Sequence, residues 1–320
     1  LFNYEYIWNI PVTFGGNIKC HFQKQISQKN MHEKSLKTAK GWLSFPYDKI
    51  TQEKVKSLIE KGGEELIDSF YKELDFGTGG MRGIMGVGPN RINKYTIGRA
   101  TQGLASTLVD LYKYQDISVA IAYDCRNNSN KLALSVAEVL TANGIKAYLF
   151  NSLRPTPELS FAVRELGCKG GVVITASHNP KEYNGFKVYG ADGCQITSPF
   201  DTELIEKVRA LSINDVNFNA NKALIFGLGE EMDKTYLARL KTLSLSPESI
   251  KEQEDLPIVF TGIHGTGVVM VPKALEVFGF KNVTTVASQD VIDGSFPTVY
   301  SPNPEESSAL EQAILLAKEK

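Results

Sequence analysis

The stretch Ile117-Ser-Val-Ala-Ile-Ala-Tyr123 decides the fold class. This apolar run is typical of a buried strand, and a polar loop follows it. A helical pattern then extends from Asn130 to Asn143, where Gly144 can terminate it. The order predicts a strand–loop–helix unit.

The same alternation continues along the chain. A second strand is predicted over residues 145–150, and a Pro-Thr-Pro turn follows at 155–157. A helix to about Leu166 and a third apolar strand over 171–175 complete the pattern. Strands that alternate with helices indicate an α/β domain.

A related layout returns after Leu256. A strand over 257–262, a His-Gly-Thr-Gly loop ending at Gly267, a helix over 268–278 and a further strand from Val283 repeat the element order. The sequence therefore predicts two consecutive related α/β domains, each a mixed sheet flanked by helices. A single large sheet remains an alternative at this point.

Polar residues mark the boundary between these domains, since asparagine and aspartate cluster between residues 214 and 221. We expect an N-terminal extension over 1–40, a first domain over 41–215, which includes a helical stretch over 42–71, and a second domain over 216–320. Residues 1–30 mix aromatic and polar side chains and precede Met31, so we leave them out of the fold assignment as an upstream or non-native segment.

Composition narrows the function classes. The 320 residues carry a formal net charge of −1, and 22% of them are charged, so no basic excess points to a nucleic-acid partner. No apolar run approaches the length that a bilayer span requires. The four cysteines have no CxxC spacing, which suits free thiols in a cytoplasmic protein.

The segment with the clearest chemical content is Thr175-Ala-Ser-His-Asn-Pro180, together with Asn184-Gly-Phe-Lys187. It places Ser177 just beyond a buried strand, at the edge where open α/β sheets bind ligands. A serine hydroxyl needs a base or a prior covalent modification to react. Because neighbouring side chains alternate in an extended segment, we do not expect Ser177 and His178 to form a dyad. A plain turn or cap role for Ser177 stays open.

These two motifs resemble the phosphoserine loop of the α-D-phosphohexomutase family, the phosphoglucomutases and phosphomannomutases. Phe76-Gly-Thr-Gly-Gly-Met-Arg-Gly83 resembles the N-terminal loop of that family, and Tyr123-Asp-Cys-Arg126 resembles its Asp-x-Arg loop. The resemblance implies that this chain contains the first two of the four family domains.

The resemblance also implies residue roles. Ser177 is expected to be the phosphoserine, Lys187 a general acid/base, His178 a residue of the active site, and Arg82 an arginine that reaches it. Substrate or phosphate contacts are expected from four further residues: Asn179, Gly80, Asp124 and Arg126.

The activity implied is the interconversion of hexose 1-phosphate and hexose 6-phosphate, of glucose or mannose, through a hexose 1,6-bisphosphate. The family implies Mg²⁺ on the phosphate of Ser177, and hexose 1,6-bisphosphate as activator. The Asp-x-Asp-x-Asp-Arg metal loop of the family is absent here, so its carboxylate ligands are expected beyond Lys320. We therefore expect these 320 residues alone to lack mutase activity.

Two other functions stay open. The chain could be an inactive phosphosugar-binding fragment of such an enzyme, or a serine-dependent phosphatase or phosphotransferase that uses the same loop. Hexose phosphates are the expected small-molecule partners in all three cases, and no nucleic acid or membrane partner is expected. The sequence does not predict an oligomeric state.

Overall fold

The computed structural model describes the backbone of residues 16–113 and 115–320, and the side chains from residue 29 onward except residue 114. The predicted upstream or non-native segment over 1–30 falls largely outside these described residues. The chain divides into two compact units, one up to Glu73 with Val87–Asn90, and one of Leu74–Gly86 with Arg91–Lys320.

The first unit contains three helices, α1 (Gly16–Gly41), α2 (Lys49–Lys61) and α3 (Gly63–Phe70). The predicted helical stretch over 42–71 is thus divided, because Gly62 adopts φ +62° between α2 and α3. Its core includes Trp42, whose ring packs edge-on against the ring of Phe70, with 5.7 Å between the two ring centres.

The second unit begins with a first region built on one sheet. Its elements are β1 (Gly80–Ile84), α4 (Lys94–Leu111), β2 (Ser118–Tyr123), α5 (Ser129–Ala142), β3 (Lys146–Phe150), α6 (Thr156–Glu165), β4 (Gly170–Ile174), β5 (Tyr183–Gly190), α7 (Phe200–Ala210) and β6 (Ile225–Leu228).

This first sheet has six strands in the order β1-β5-β4-β2-β3-β6. Strands β4, β2, β3 and β6 are parallel, whereas β5 is antiparallel to both β4 and β1. The sheet is therefore mixed, as the sequence predicts. Gly144 follows the end of α5 with φ +78°, which confirms that it terminates this helix.

Strand β2 shows why a continuous apolar run forms here. Val119 and Ile121 pack into one core with α4 and α5, while Ala120 and Ala122 pack into another with α6. Both faces of the strand are covered, so every position favours an apolar side chain.

A second region follows, with elements α8 (Glu230–Lys241), α9 (Pro247–Glu252), β7 (Ile258–Phe260), α10 (Gly267–Phe278), β8 (Val283–Thr285) and α11 (Ser307–Glu319). Strands β7 and β8 are parallel and form their own sheet. The single-sheet alternative is therefore wrong. Within the described residues, no helix combines the length and apolar character of a membrane span.

Candidate active site

Two neighbouring strands position the site residues at one edge of the first sheet. Strands β2 and β4 are parallel, with Tyr123 opposite Ile174 at their ends. Residues 124–126 therefore emerge beside residues 175–180, at the carboxyl edge where open α/β sheets bind ligands. The prediction that Ser177 lies just beyond a buried strand is confirmed.

Ser177 lies exposed on a tight turn. Its backbone is left-handed, with φ +59°, a conformation that a non-glycine residue rarely adopts. The Ser177 N–H donates to Thr175 Oγ1 at 2.9 Å, and the Asn179 N–H donates to the carbonyl of Ala176 at 3.1 Å. These bonds fold the backbone so that the hydroxyl points away from the sheet's core.

The left-handed turn changes the relation between Ser177 and His178. The expectation of an extended segment with alternating side chains is wrong, because Ser177 Oγ lies 3.3 Å from His178 Nδ1. In the described part of the chain no carboxylate forms an ion pair with the His178 ring, so the third member of a hydrolase triad is not present.

Arg126 lies beneath the turn, with only 3% of its surface exposed. Its Nη1 donates to the carbonyls of Pro180 (2.8 Å) and Tyr183 (3.1 Å), and its Nη2 to those of Ser177 (2.8 Å) and Asn179 (2.6 Å). Phosphate binding by Arg126 stays a prediction, and the contacts observed are with the loop itself.

Asp124 connects the loop after β2 with the loop after β4. One carboxylate oxygen accepts hydrogen bonds from the Arg126 N–H (2.9 Å) and from Ser129 Oγ (2.7 Å), and the other lies 3.3 Å from Arg126 Nε. Burial raises the pKa of Asp124 above its ordinary value, although a hydrogen bond with Thr175 opposes this shift. The carboxylate is engaged with the protein, and its predicted contact with substrate stays a prediction.

Ser177 and His178 face a cleft of about 440 Å³. The second region contributes the opposite wall, with the loop 261–267 and Phe296. Cys125 also lines the cleft, and burial, with the charge of Asp124 next, raises the pKa of its thiol to about 12. The thiol is therefore neutral at physiological pH and is not a competing nucleophile.

Strand β1 carries two more of the predicted site residues. The exposed Arg82 donates from Nη1 to Asn179 Oδ1 at 2.8 Å, which brings Arg82 to the serine turn. Gly80 has φ +149°, and a side chain there would meet the carbonyl oxygen of Phe186 at 2.0 Å. Gly80 is thus required for the close pairing of β1 with β5, and a phosphate contact from it stays a prediction.

Lys187 lies on β5, opposite Gly80 on one side and Val173 on the other. It is half-buried, and it is not among the side chains that line the cleft. The structure therefore places Lys187 inside the sheet, next to β4 and β1, and its acid/base role remains an expectation from the resemblance.

His264 stabilises the far wall of the cleft. The side chain is fully buried, with Nδ1 2.7 Å from the carbonyl of Val291 and Nε2 2.8 Å from Thr298 Oγ1. Because a carbonyl only accepts, Nδ1 carries the proton in the neutral ring. Thr298 also accepts from Gln289 Nε2 at 3.1 Å, so its hydroxyl can donate to His264 Nε2. His264 has a structural role here.

The described residues do not supply a metal site. No group of three or more His, Cys, Asp or Glu side chains is close enough to hold an ion in that part of the chain. Among the residues that the structure describes, Asp124 is the only carboxylate that lines the cleft, and its oxygens already face Arg126 and Ser129. These side chains do not fit Mg²⁺, and we derive no step through it.

Sequence reasoning missed two contributors to the site. Phe296 approaches Arg126 from a segment 170 residues away (296 minus 126), and Asn184 is fully buried with Nδ2 donating to Ser129 Oγ at 2.9 Å. Asn184 belongs to the motif over residues 184–187, but nothing in the sequence predicts that its side chain is buried.

An exposed serine on a tight turn at the carboxyl edge of an α/β sheet, facing a cleft, defines a candidate group-transfer site. Residues 73–214 match the family described as phosphoglucomutase/phosphomannomutase, alpha/beta/alpha domain I, and residues 234–320 match its domain II. The chain belongs to the phosphoglucomutase/phosphomannomutase family.

Curated relatives agree with this assignment. The chain is 39% identical over 279 residues to the phosphoglucomutase of Staphylococcus haemolyticus, a match that covers 86% of the chain and 49% of that protein. It is 38% identical over 282 residues to the phosphoglucomutase of Staphylococcus aureus, with coverage of 86% and 49%. The chain thus spans about half the length of the curated relatives it matches.

A solved structure shares the fold. The phosphoglucomutase/phosphomannomutase family protein from Burkholderia thailandensis superposes with a TM-score of 0.59 at 19% identity, over 76% of this chain and 49% of that one. The two family domains leave residues 215–233 unmatched, and β6 within them completes the first sheet. The boundaries after residues 40 and 215 stay predictions.

Proposed function

We propose that the protein carrying this chain interconverts hexose 1-phosphate and hexose 6-phosphate through a phosphoserine at Ser177. The observation that carries the proposal is the presentation of Ser177, which is exposed on a left-handed turn, at the carboxyl edge of the sheet, and facing a cleft. Family membership and relatives named phosphoglucomutase support the same reaction.

In the first half of the reaction, the free hydroxyl oxygen of the hexose phosphate attacks the phosphorus of phosphorylated Ser177. A sugar O–P bond forms and the bond between phosphorus and Ser177 Oγ breaks, leaving the electron pair on Oγ. Lys187 takes the hydroxyl proton, and His178, whose Nδ1 lies 3.3 Å from Oγ, gives a proton to the serine.

In the second half, the bisphosphate turns over and the steps run in reverse. Ser177 Oγ attacks the other phosphorus and returns its proton to His178, the O–P bond between that phosphorus and the sugar breaks, and the departing sugar oxygen takes a proton from Lys187. Arg82 and Asn179, hydrogen-bonded to each other, would offer donors to a phosphate at the turn. Mg²⁺, the activating hexose 1,6-bisphosphate and a cytoplasmic location stay predictions that rest on the resemblance.

The test uses the protein expressed from its full coding region. A coupled assay measures formation of glucose 6-phosphate from glucose 1-phosphate, and a second assay measures release of inorganic phosphate. We expect Ser177→Ala to lower isomerisation at least about 1,000-fold, since no other residue replaces a covalent phosphoryl carrier. Ser249→Ala, at an exposed position on α9, is the matched control and should retain activity.

Three results would overturn the proposal. Retained isomerisation in Ser177→Ala would exclude the phosphoserine route. Steady phosphate release by the unaltered protein without isomerisation would instead favour the serine-dependent phosphatase. Binding of hexose phosphate without either reaction would favour the inactive binding protein. The ratio of rates on glucose 1-phosphate and mannose 1-phosphate would settle the preferred hexose.

A further inference from the structure

The guanidinium of Arg126 has no donor left for a ligand. An arginine has five N–H groups, and the four on Nη1 and Nη2 all donate to carbonyls between Ser177 and Tyr183. The fifth, on Nε, makes no hydrogen bond, but it is buried 3.3 Å from Asp124 Oδ2 and is closed to a ligand. A side chain committed in this way can shape the loop but cannot also bind phosphate.

These contacts fall where the loop is most strained. Left-handed backbone is costly for serine and persists only where the surroundings over-determine it. Arg126 gathers the carbonyls of Ser177, Asn179 and Pro180 around one buried charge. Charge-assisted bonds of this kind are stronger than neutral ones, so they can hold the turn that exposes the Ser177 hydroxyl.

The face of the same guanidinium meets the second region. Arg126 Cζ lies 5.6 Å from the centre of the Phe296 ring, and Phe296 is buried. Two residues earlier, Gly294 approaches so closely that a side chain there would lie 2.5 Å from the backbone nitrogen of Asn127. The segment around Phe296 therefore packs against the turn that carries Arg126.

We propose that Arg126 is a positioning residue that holds the Ser177 turn in its left-handed form and couples that turn to the second region through Phe296. This inference rests on the proposed function and replaces the predicted phosphate contact of Arg126. Displacing Phe296 should therefore disturb the Ser177 turn through Arg126.

The test measures phosphoryl uptake by Ser177 from glucose 1,6-bisphosphate, as a function of bisphosphate concentration, with quantitative phosphopeptide mass spectrometry. Four variants are compared: Arg126→Met, Arg126→Lys, Phe296→Leu and the control Arg209→Met, whose arginine is exposed on α7. Amide hydrogen exchange of residues 177–179 is measured in each, because the Ser177 and Asn179 amides are hydrogen-bonded within the turn.

We expect Arg126→Met to lower the maximal uptake rate about 100-fold, with the half-saturating concentration changed less than about threefold, since a misplaced nucleophile loses rate rather than affinity. Arg126→Lys should recover part of the rate because it restores the charge. Phe296→Leu should lower the maximal rate about fivefold to tenfold and speed exchange of the turn amides, while Arg209→Met matches the unaltered protein.

Other outcomes would overturn the inference. A raised half-saturating concentration with an unchanged maximal rate would make Arg126 a phosphate ligand. Normal uptake and normal exchange in Phe296→Leu would remove the coupling. If the unaltered protein takes up no phosphoryl group, the proposed function fails, and the exchange measurement on Phe296→Leu, which retains Arg126, then decides the coupling alone.

Discussion

Two buried arginines follow adjacent parallel strands and meet opposite kinds of partner. Arg126, after β2, donates to four backbone carbonyls of one loop. Arg154, after β3, donates from Nε and Nη2 to the two oxygens of Asp233 on α8, each at 2.8 Å. Both side chains link the first region to the second, but Arg126 is the one of the two that lies beneath Ser177.

The difference shows what each cluster can do. Carbonyl partners fix the path of a loop, whereas the bidentate carboxylate of Asp233 fixes the loop that carries Arg154 against α8. The Arg154 cluster also contains Glu158, which is fully buried and accepts no hydrogen bond at its carboxyl oxygens, and Lys273, 3.5 Å from Asp233. The first cluster therefore serves the site, and the second serves the packing of α6, α8 and α10.

Removing the acid of the Arg154 cluster should have the largest effect on stability. Asp233→Ala leaves Arg154 buried without its bidentate partner, so we expect a loss of about 3–5 kcal/mol in the free energy of unfolding. Urea unfolding measures it, with Glu231→Gln as the control, because Glu231 forms only an exposed pair with Lys234. A loss below about 1 kcal/mol would contradict the structural role of Arg154.

Removing the charge of the other acid should cost less. Asp124→Asn leaves the four carbonyl contacts of Arg126 in place, so we expect a loss of about 1–2 kcal/mol by the same measurement. If Asp124→Asn destabilises the protein as much as Asp233→Ala, the two clusters are alike and the comparison fails.

The pH dependence of stability should separate the clusters further. Burial, a hydrogen bond with Asp233 and the charge of Asp233 raise the pKa of Glu158 from 4.5 to about 8. Between about pH 4.5 and 8 the folded state holds a proton that the unfolded state has lost, so the stability from this group falls as pH rises through that window. The Glu158 carboxyl also interacts electrostatically with Arg154, Lys273 and Tyr236.

A neutral amide should remove this dependence. We expect urea midpoints of Glu158→Gln between pH 5 and 8 to decline less than those of the unaltered protein. Glu165→Gln, at an exposed position of the same helix, should keep the full decline. Parallel curves for the unaltered protein and Glu158→Gln would show that Glu158 is ionised across this range. The lowered pKa of Asp233 acts in the opposite sense at lower pH.

The smallest predicted effect is on thiol reactivity. Because the pKa of Cys125 is raised to about 12, iodoacetamide at pH 8 should label Cys125 roughly 100-fold more slowly than the exposed Cys194. Peptide mass spectrometry over a time course gives both rates. Equal labelling would mean that water reaches the Cys125 thiol, next to Arg126, more freely than its burial predicts.

Much of the fold was predictable because it depends on local patterns. The apolar run over 117–123 and the helix ended by Gly144 read correctly, since burial on both strand faces and a left-handed glycine leave clear signals. The helical stretch predicted over 42–71 contains a break at Gly62, which a periodic pattern does not reveal.

The site was predictable in position but not in geometry. The motif placed Ser177 at the sheet edge, yet its φ of +59° has no signature in a non-glycine residue. The hydrogen-bond partners of Arg126 lie 51 to 57 residues away along the chain, where spacing carries no information. The pairing of Arg154 with Asp233, 79 residues apart, depends in the same way on tertiary packing.

The central claim is that Ser177 carries the transferred phosphoryl group. The most direct measurement incubates the protein with glucose 1,6-bisphosphate, maps phosphorylated residues by peptide mass spectrometry, and repeats the map after adding glucose 1-phosphate. We predict one phosphoryl group on Ser177 that is lost when the monophosphate is added. Phosphate on another residue, or none on Ser177, would contradict the account.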